Sequence, residues 1–390
     1  MPRKKEYLTI AVIGVGAMGQ GHCATIAAGV PELRLGAVCD THEATARAAG
    51  ERFGVPWFTG VSRLLQAGCA EAALVVVPHP LHAGVAIPCM EAGLHVLCEK
   101  PLAETVGAAD RMLGTARARG VAFAVMFQTR ADPAVQRMIA FAREGGIGRI
   151  LRTGLVVPEF RPQYYFDSNP WRATWRGEGG GVLLNQAAHL LDIFTLVGGL
   201  PESLLARCET RQHDIEVEDT AEAMLRYAGG GSGHIFCSTV EPPGTEGLEV
   251  VGDLGRATFR DGRVTLVRFP GSVSAFARTT ESVWGKPPVE TVFEGACQEV
   301  PAQAAVMRNF ARHVLCGEPL WCDAASGLAS LEIANGMALS SAAKRETALP
   351  VDRAAYDGLL DSLRAKTPRP KRLVAVARVT DPKLTVGSNP

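Results

Sequence analysis

The sequence predicts an α/β protein in two parts: a doubly wound parallel sheet, then an α/β unit built on a large, open, mostly antiparallel sheet. Three observations carry that prediction. From residue 8 to about residue 130, short apolar runs alternate with helical patterns. Strict alternation of strand and helix implies right-handed crossovers and a parallel sheet. A glycine motif separates the first run from the first helical pattern. Beyond residue 150, strand-like runs follow one another across breaks such as Gly229-Gly230-Gly231 and Asp261-Gly262, which favour antiparallel neighbours.

The elements follow in order. Leu8–Ile13 is wholly apolar but for one threonine, as a strand buried on both faces should be. Gly14-Val15-Gly16-Ala17-Met18-Gly19 comes next, and a helix through Ala28. In G-x-G-x-x-G the first glycine permits a tight turn and the second lets the backbone approach a pyrophosphate. The third packs helix on strand, and the helix N-terminus faces the phosphate charge. Gly14, Gly16, Ala17 and Met18 are thus candidate cofactor contacts. Leu35–Cys39 is the second strand and ends in Asp40, about 20 residues on, where a ribose-binding acid belongs. A carboxylate there accepts from the ribose hydroxyls and repels a 2′-phosphate, so NAD is expected rather than NADP. The competing reading of Asp40 is an N-cap for the pattern beginning near His42.

Phe58 lies in a short strand, Ser62–Ala67 in a helix, Leu74–Val77 in the fourth strand, and a helix then runs to Gly93. His95–Cys98, a helix over Thr105–Arg119 and the strand Phe123–Phe127 complete the first unit. Ligands of such sheets lie beyond the carboxyl ends of the strands. Gly14, Asp40, Pro78, Lys100 and Gln128 all end predicted strands and should line one crevice. Val77, His79, His82 and Glu99 belong to the same loops and join the candidate cofactor contacts. Lys100 is the only lysine between Lys5 and Lys286. Elsewhere in that span positive charge is arginine, which does not deprotonate, whereas lysine exchanges a proton. The competing reading is a surface lysine placed by chance.

Length and composition bound the function. The 390 residues suit two domains, expected at 1–130 and 131–366, with 367–390 a loose tail. Net charge is zero, which argues against nucleic acid or an acidic membrane surface as partner. No apolar run reaches the roughly 18 residues of a membrane span. The basic start flows into the first strand and does not read as a signal peptide. Ten cysteines with no Cys-x-x-Cys pair suit reduced thiols in the cytoplasm and give no metal signature.

The second half opens with a strand at Ile150–Val157. An aromatic and arginine-rich loop follows, with Phe160, Arg161, Tyr164, Tyr165, Phe166, Trp171, Arg172, Trp175 and Arg176. It reads as a lid or pocket over a polar ring, with an oligomer contact or core packing as rivals. After Glu178-Gly179-Gly180-Gly181 a helix is predicted over Val182–Asp192, with Asn185 and His189 on one face. Taken alone, His189 reads more readily as a satisfied core residue than as a catalyst. The strands Leu204–Thr210, Thr220–Tyr227, Ser232–Thr239, Leu248–Gly252, Ala257–Arg260 and Val264–Arg268 make the open sheet. Its broad face needs cover, so a homo-oligomer, dimer or tetramer, is expected through it. Ala302–Cys316 and Ala324–Lys344 are helices.

The chain resembles the family of glucose–fructose oxidoreductase and inositol dehydrogenase (Gfo/Idh/MocA). The residues that carry this are Gly14–Gly19, Asp40, Pro78–His82, Glu99-Lys100-Pro101 and Gln128-x-Arg130-x-x-Pro133. The resemblance covers roughly residues 7–350. It implies an NAD(P)-binding Rossmann domain, a second domain with an open sheet, and redox chemistry at a hydroxyl or ketone of a sugar, polyol or similar ring. It also implies that His189 faces the reacting carbon. Asn185 stands where the family commonly has Asp, and His79 where it often has Asn.

The expected reaction is hydride transfer between a ring hydroxyl carbon and the nicotinamide. The hydroxyl proton leaves best to a group of pKa near 7, so His189 is the expected base. Lys100 then hydrogen-bonds the same oxygen, and Glu99 orients Lys100. Arg161, Tyr164, Trp171, Arg172 and Asn185 hold the substrate. The rivals are a dehydrogenase of a non-sugar ring such as an aromatic cis-dihydrodiol, and a non-catalytic NAD sensor.

Overall fold

The computed structural model describes residues 6–242, 244–298, 302–366 and 371–374. Its first sheet holds β1 (Leu8–Ile13), β2 (Leu33–Cys39), β3 (Trp57–Phe58), β4 (Ala72–Val75), β5 (His95–Cys98) and β6 (Phe123–Val125). All are parallel, in the order β3-β2-β1-β4-β5-β6. The order reverses between β1 and β4, so a crevice opens where β1 ends at Gly14. The apolar runs account for the burial: β4 is buried throughout, and Val96, Leu97 and Cys98 of β5 are 0% exposed.

Two predicted strands end earlier than expected. β4 stops at Val75, its last pairing partner being Ile13, because Val76 and Val77 turn over the glycine loop. β6 stops at Val125, since Gln128–Ala131 winds into a short 3-10 turn.

Among the described residues the second sheet has nine strands. They are β7 (Ile150–Pro158), β8 (Ser203–Glu209), β9 (Thr220–Arg226), β10 (Ser232–Ser238), β11 (Gly247–Gly252), β12 (Gly255–Arg260), β13 (Arg263–Arg268), β14 (Glu290–Ala296) and β15 (Thr347–Ala348). The order is β14-β13-β12-β11-β7-β10-β9-β8-β15, antiparallel except between β7 and β10. Alternation sorts the side chains. Leu155, Leu204, Leu225, Ile235 and Val250 are buried, whereas Leu205 and Met224, opposed in register across β8 and β9, are 48% and 71% exposed.

Several elements went unpredicted. The helix Pro133–Arg143 is one, although its signals stood in the sequence: Pro133 is its first residue, and Asp132 caps it by accepting from the N–H groups of Ala134 and Val135. The strand β14 and the helices Gln163–Asp167, Val273–Thr279 and Arg353–Ala365 were also missed.

The helix expected over Val182–Asp192 instead spans Ala188–Gly198. Its would-be first turn is claimed from outside. Glu218 Oε1 accepts from the N–H groups of Gly181 (2.8 Å) and Leu183 (3.3 Å), and the Glu218 carbonyl takes that of Val182 (3.0 Å). Asn185 therefore sits on a turn before the helix, not on a shared helical face with His189. The expected tail from residue 367 lies outside the described residues, except Lys371–Val374. That stretch is seated on the aromatic loop: Lys371 Nζ donates to the Asn169 carbonyl (2.6 Å) and Val374 N–H to that of Asp167 (3.2 Å).

Candidate active site

The glycine turn is shaped by two different demands. Gly14 has φ +91°, and a methyl there would meet the Val76 carbonyl oxygen at 2.2 Å. A methyl at Gly19 would meet the Gly14 oxygen at 1.9 Å. Both glycines are thus required by the chain's own packing. Gly16 is not, because no described residue beyond its chain neighbours lies within 4 Å of the methyl it lacks. That open space fronts the helix Ala17–Gly29, whose N-terminus has neither a side-chain cap nor an acid in its first turn. Free N–H groups facing a gap kept clear by glycine fit a dinucleotide pyrophosphate.

Asp40 closes the same corner. One carboxylate oxygen accepts from the Val15 N–H (3.0 Å) and the other from the His42 N–H (2.9 Å). It is not the helix cap, which is His42 itself, accepting from the Thr45 N–H. The chain thus fits NAD on both counts, the phosphate gap and an acid at the ribose end.

Lys100 lies two residues past the end of β5 and reaches across to the second half of the chain. Its Nζ donates to the Asn185 main-chain carbonyl (2.8 Å) and to Asn185 Oδ1 (3.1 Å). Burial lowers the Lys100 pKa, with Arg172 and Arg161 adding to the effect and Glu99 and Glu178 opposing it. Behind it, Glu99 accepts from the Lys100 N–H (3.1 Å) and pairs with His22 Nε2 (2.6 Å). Burial favours the protonated carboxyl, but His22 and then Lys100 outweigh it, and Glu99 titrates lower than usual.

His189 lies on the helix just beyond Asn185, its ring edge-on to Phe127 at 6.1 Å between centroids. Burial, then the Lys100 charge, pushes its imidazole down to about 3. Its Nδ1 is buried without a hydrogen-bond partner among the described residues. Lys100 is hydrogen-bonded to Asn185, four residues before His189, which brings the two predicted groups, one from each half of the chain, into one neighbourhood.

The other expected residues divide. Arg172 lies over the Tyr165 ring at 4.0 Å and Arg161 over it at 5.2 Å. Both guanidinium charges reach Lys100. Trp171 packs edge-on to His79 at 6.1 Å. Tyr164 is 54% exposed and has no described contact with this cluster. His79 is buried and bonds the Glu178 carbonyl through Nδ1 (3.1 Å). His82, expected beside the cofactor, is fully buried, with its nitrogens on the carbonyls of Pro101 (2.9 Å) and Val77 (3.0 Å). A neutral imidazole has one N–H, and burial disfavours the charged form, so His82 donates to one of these two carbonyls while wedged between two strand ends. Val77 borders the glycine turn, Pro78 precedes the 3-10 turn His79–Leu81, and Gln128 starts the 3-10 turn after β6.

Sequence reasoning placed Tyr165 only within the lid-or-pocket loop and gave no site role to Glu178 or His22. The Tyr165 hydroxyl gathers Arg172, Gln186 Nε2 (3.3 Å) and Asn185 Nδ2 (3.5 Å). Glu178, 1% exposed, accepts from Asn185 Nδ2 at 2.5 Å. The one available signal was an acid directly before three glycines. His22 stood in the first helix with no mark distinguishing it from a core residue.

Comparison with known proteins bears on the whole arrangement. A family model described as "Oxidoreductase family, NAD-binding Rossmann fold" matches residues 8–127, and one described as "GFO/IDH/MocA C-terminal domain" matches residues 135–258. Trans-1,2-dihydrobenzene-1,2-diol dehydrogenase of Bos taurus is 32% identical over 187 residues, 46% of this chain and 53% of that protein. The match thus spans about half of the bovine enzyme's length. Levoglucosan dehydrogenase of Pseudarthrobacter phenanthrenivorans is 28% identical over 62% of this chain and 73% of its own. Among solved structures, the WlbA dehydrogenase of Bordetella pertussis in complex with NADH and UDP-GlcNAcA superposes with a TM-score of 0.73 at 26% identity. That likeness covers 89% of this chain and 100% of the other.

Proposed function

The chain belongs to the GFO/IDH/MocA family of NAD-binding oxidoreductases, and from that premise we propose that it is an NAD-dependent dehydrogenase of a ring alcohol on a sugar, polyol or related compound. One observation carries the reading: Lys100, at the end of a first-sheet strand, is hydrogen-bonded to Asn185, four residues before His189. Residues 1–130 hold the cofactor and 131–366 the substrate. The pyrophosphate is held by Gly14, Gly16, Ala17 and Met18, and the ribose by Asp40. Val77, Pro78, His79, Glu99 and Gln128 border the nicotinamide end.

When bound, NAD supplies the two-electron acceptor for the carbinol carbon. The protein's task is the hydroxyl proton. An imidazole held near 3 is a weak base, so the role first expected of His189 passes to Lys100, whose proton affinity is lowered by burial. His189, neutral, hydrogen-bonds the substrate. Asn185, Arg161, Trp171 and Arg172 orient the ring. Tyr164, at the rim, contributes least.

The test is a panel of levoglucosan, inositols, free sugars and aromatic dihydrodiols, read by NADH absorbance, with NAD and NADP side by side. Turnover of a ring alcohol with NAD is expected. Binding of NAD with no turnover on any member would instead make the chain a sensor. The dihydrodiol arm has its own support in the bovine relative.

We also place the protein in the cytoplasm, since all ten cysteines are free thiols. No helix among the described residues is long and apolar enough to cross a membrane. Leu205 and Met224 on the outer sheet face suit a homo-oligomer contact. Met224→Arg is therefore expected to halve the mass or more in analytical ultracentrifugation. An unchanged mass would remove this face from the interface.

A further inference from the structure

Asn185 stands between two charges. Its Oδ1 accepts from Lys100 Nζ at 3.1 Å, and its Nδ2 donates to Glu178 Oε1 at 2.5 Å. The other carboxylate oxygen, Oε2, accepts from the Ala173 N–H at 2.6 Å. Ala173 holds the left-handed conformation, φ 55°, which is uncommon for a residue with a side chain. An amide has one accepting and one donating end. Turned over, Asn185 would set N–H groups against the Lys100 N–H groups and its oxygen against a carboxylate.

We propose that Glu178 is a positioning residue of the active site, acting through the Asn185 carboxamide to present an acceptor to Lys100. This rests on the reading of Lys100 as catalytic. Polarity runs one way along the chain: Lys100 donates to Asn185, and Asn185 donates to Glu178. Glu178 accepts at both oxygens, which suits its ionised form. An aspartate at 185 would bring two carboxylates together with one proton between them. A glutamine at 178 has one acceptor for two donors, Ala173 and Asn185. The two substitutions together restore the pairings along Lys100, residue 185, residue 178 and Ala173. The new carboxylate at 185 would accept both from Lys100 and from the new amide at 178, whose oxygen would accept from the Ala173 N–H.

The charges around the relay are few. Lys100 is faced by Glu99, Glu178, Arg172 and Arg161, and its charge reaches His79 and His189. Glu178 is faced by Arg172 and Lys100, and its own charge reaches Tyr165, Glu218 and Lys371. Burial raises the Glu178 pKa, and Arg172, Ala173, Asn185 and Lys100 offset part of the rise.

The test needs no substrate. The full-length protein is acetylated with trace acetic anhydride across a pH series, and Lys100 modification is followed by peptide mass spectrometry. In Glu178→Gln the midpoint is expected to fall by about half a pH unit or more, because an anion that raised the Lys100 pKa is gone. In Glu178→Gln with Asn185→Asp it is expected to return to the wild-type value or above. Melting temperature gives a second readout: each single variant melts below wild type, and the double variant above either single. An unmoved midpoint in Glu178→Gln, or a double variant melting below both singles, would overturn the proposal. Absence of turnover on the alcohol panel would count against the dehydrogenase reading alone, leaving the Lys100 midpoint to decide this one.

Discussion

Lys100→Met is expected to lower kcat by about 10²- to 10⁴-fold, the usual worth of a positioned proton-transfer group. Methionine keeps the unbranched stem, so NAD affinity should change little and the loss should fall on turnover. The variant also speaks to His189. The imidazole is held at about 3 by burial and by the Lys100 charge, against about 6.5 in an unfolded chain. Between those values the unfolded state binds more protons, so this stabilising contribution is complete above about pH 6.5 and is lost as pH falls toward 3. Without the Lys100 charge the folded pKa rises and the window narrows. Urea unfolding across pH 4–7 should therefore show a shallower acid slope in Lys100→Met than in wild type. Turnover within threefold of wild type would end the assignment of proton transfer to Lys100.

Arg130→Met is expected to cost about 3–5 kcal/mol of stability, as breaking one side of a buried ion pair does. Arg130 and Asp192 are 1% and 0% exposed. They meet fork to fork, Nε to Oδ2 at 2.6 Å and Nη2 to Oδ1 at 2.5 Å. Arg130 Nη1 adds the Trp321 carbonyl (3.1 Å) and Ser326 Oγ (2.7 Å). Such a bidentate pair has direction as well as charge. Its position gives it a second consequence. Arg130 stands on the turn after β6, and Asp192 is three residues past His189 on the same helix. The pair thus pins the imidazole-bearing helix to the end of the first sheet. Activity should fall in Arg130→Met even where the protein remains folded. Arg130→Met with Asp192→Leu should be more stable than Arg130→Met alone, because no buried charge is left unpaired. Stability losses that simply add in the double variant would show that the pair is not coupled.

The same pair shows how far reading the chain could go. Arg130 was visible as part of Gln128-x-Arg130-x-x-Pro133, and Asp192 as three residues past a histidine. Nothing in their separation of 62 residues said that they touch. The strand His95–Cys98 was legible to the residue, since three apolar positions end at Glu99-Lys100-Pro101. The helix bearing His189 was displaced by six residues at its start, because the backbone groups of residues 181–183 are taken by Glu218, some 35 positions away. A local pattern cannot register a distant competitor for its hydrogen bonds.

Sequence alone determined the parallel sheet, the phosphate turn, the ribose acid and the presence of a titratable amine at a strand end. Each follows from short-range rules: apolar periodicity, glycine where a side chain will not fit, and carboxylates that repel phosphate. Tertiary structure alone decided what that amine faces. It placed the Asn185 amide against Lys100, set Glu178 behind the amide, and sank His189 deep enough to weaken it as a base. Burial and charge proximity depend on which distant segments pack together, and that is settled only when the two sheets close on a common crevice.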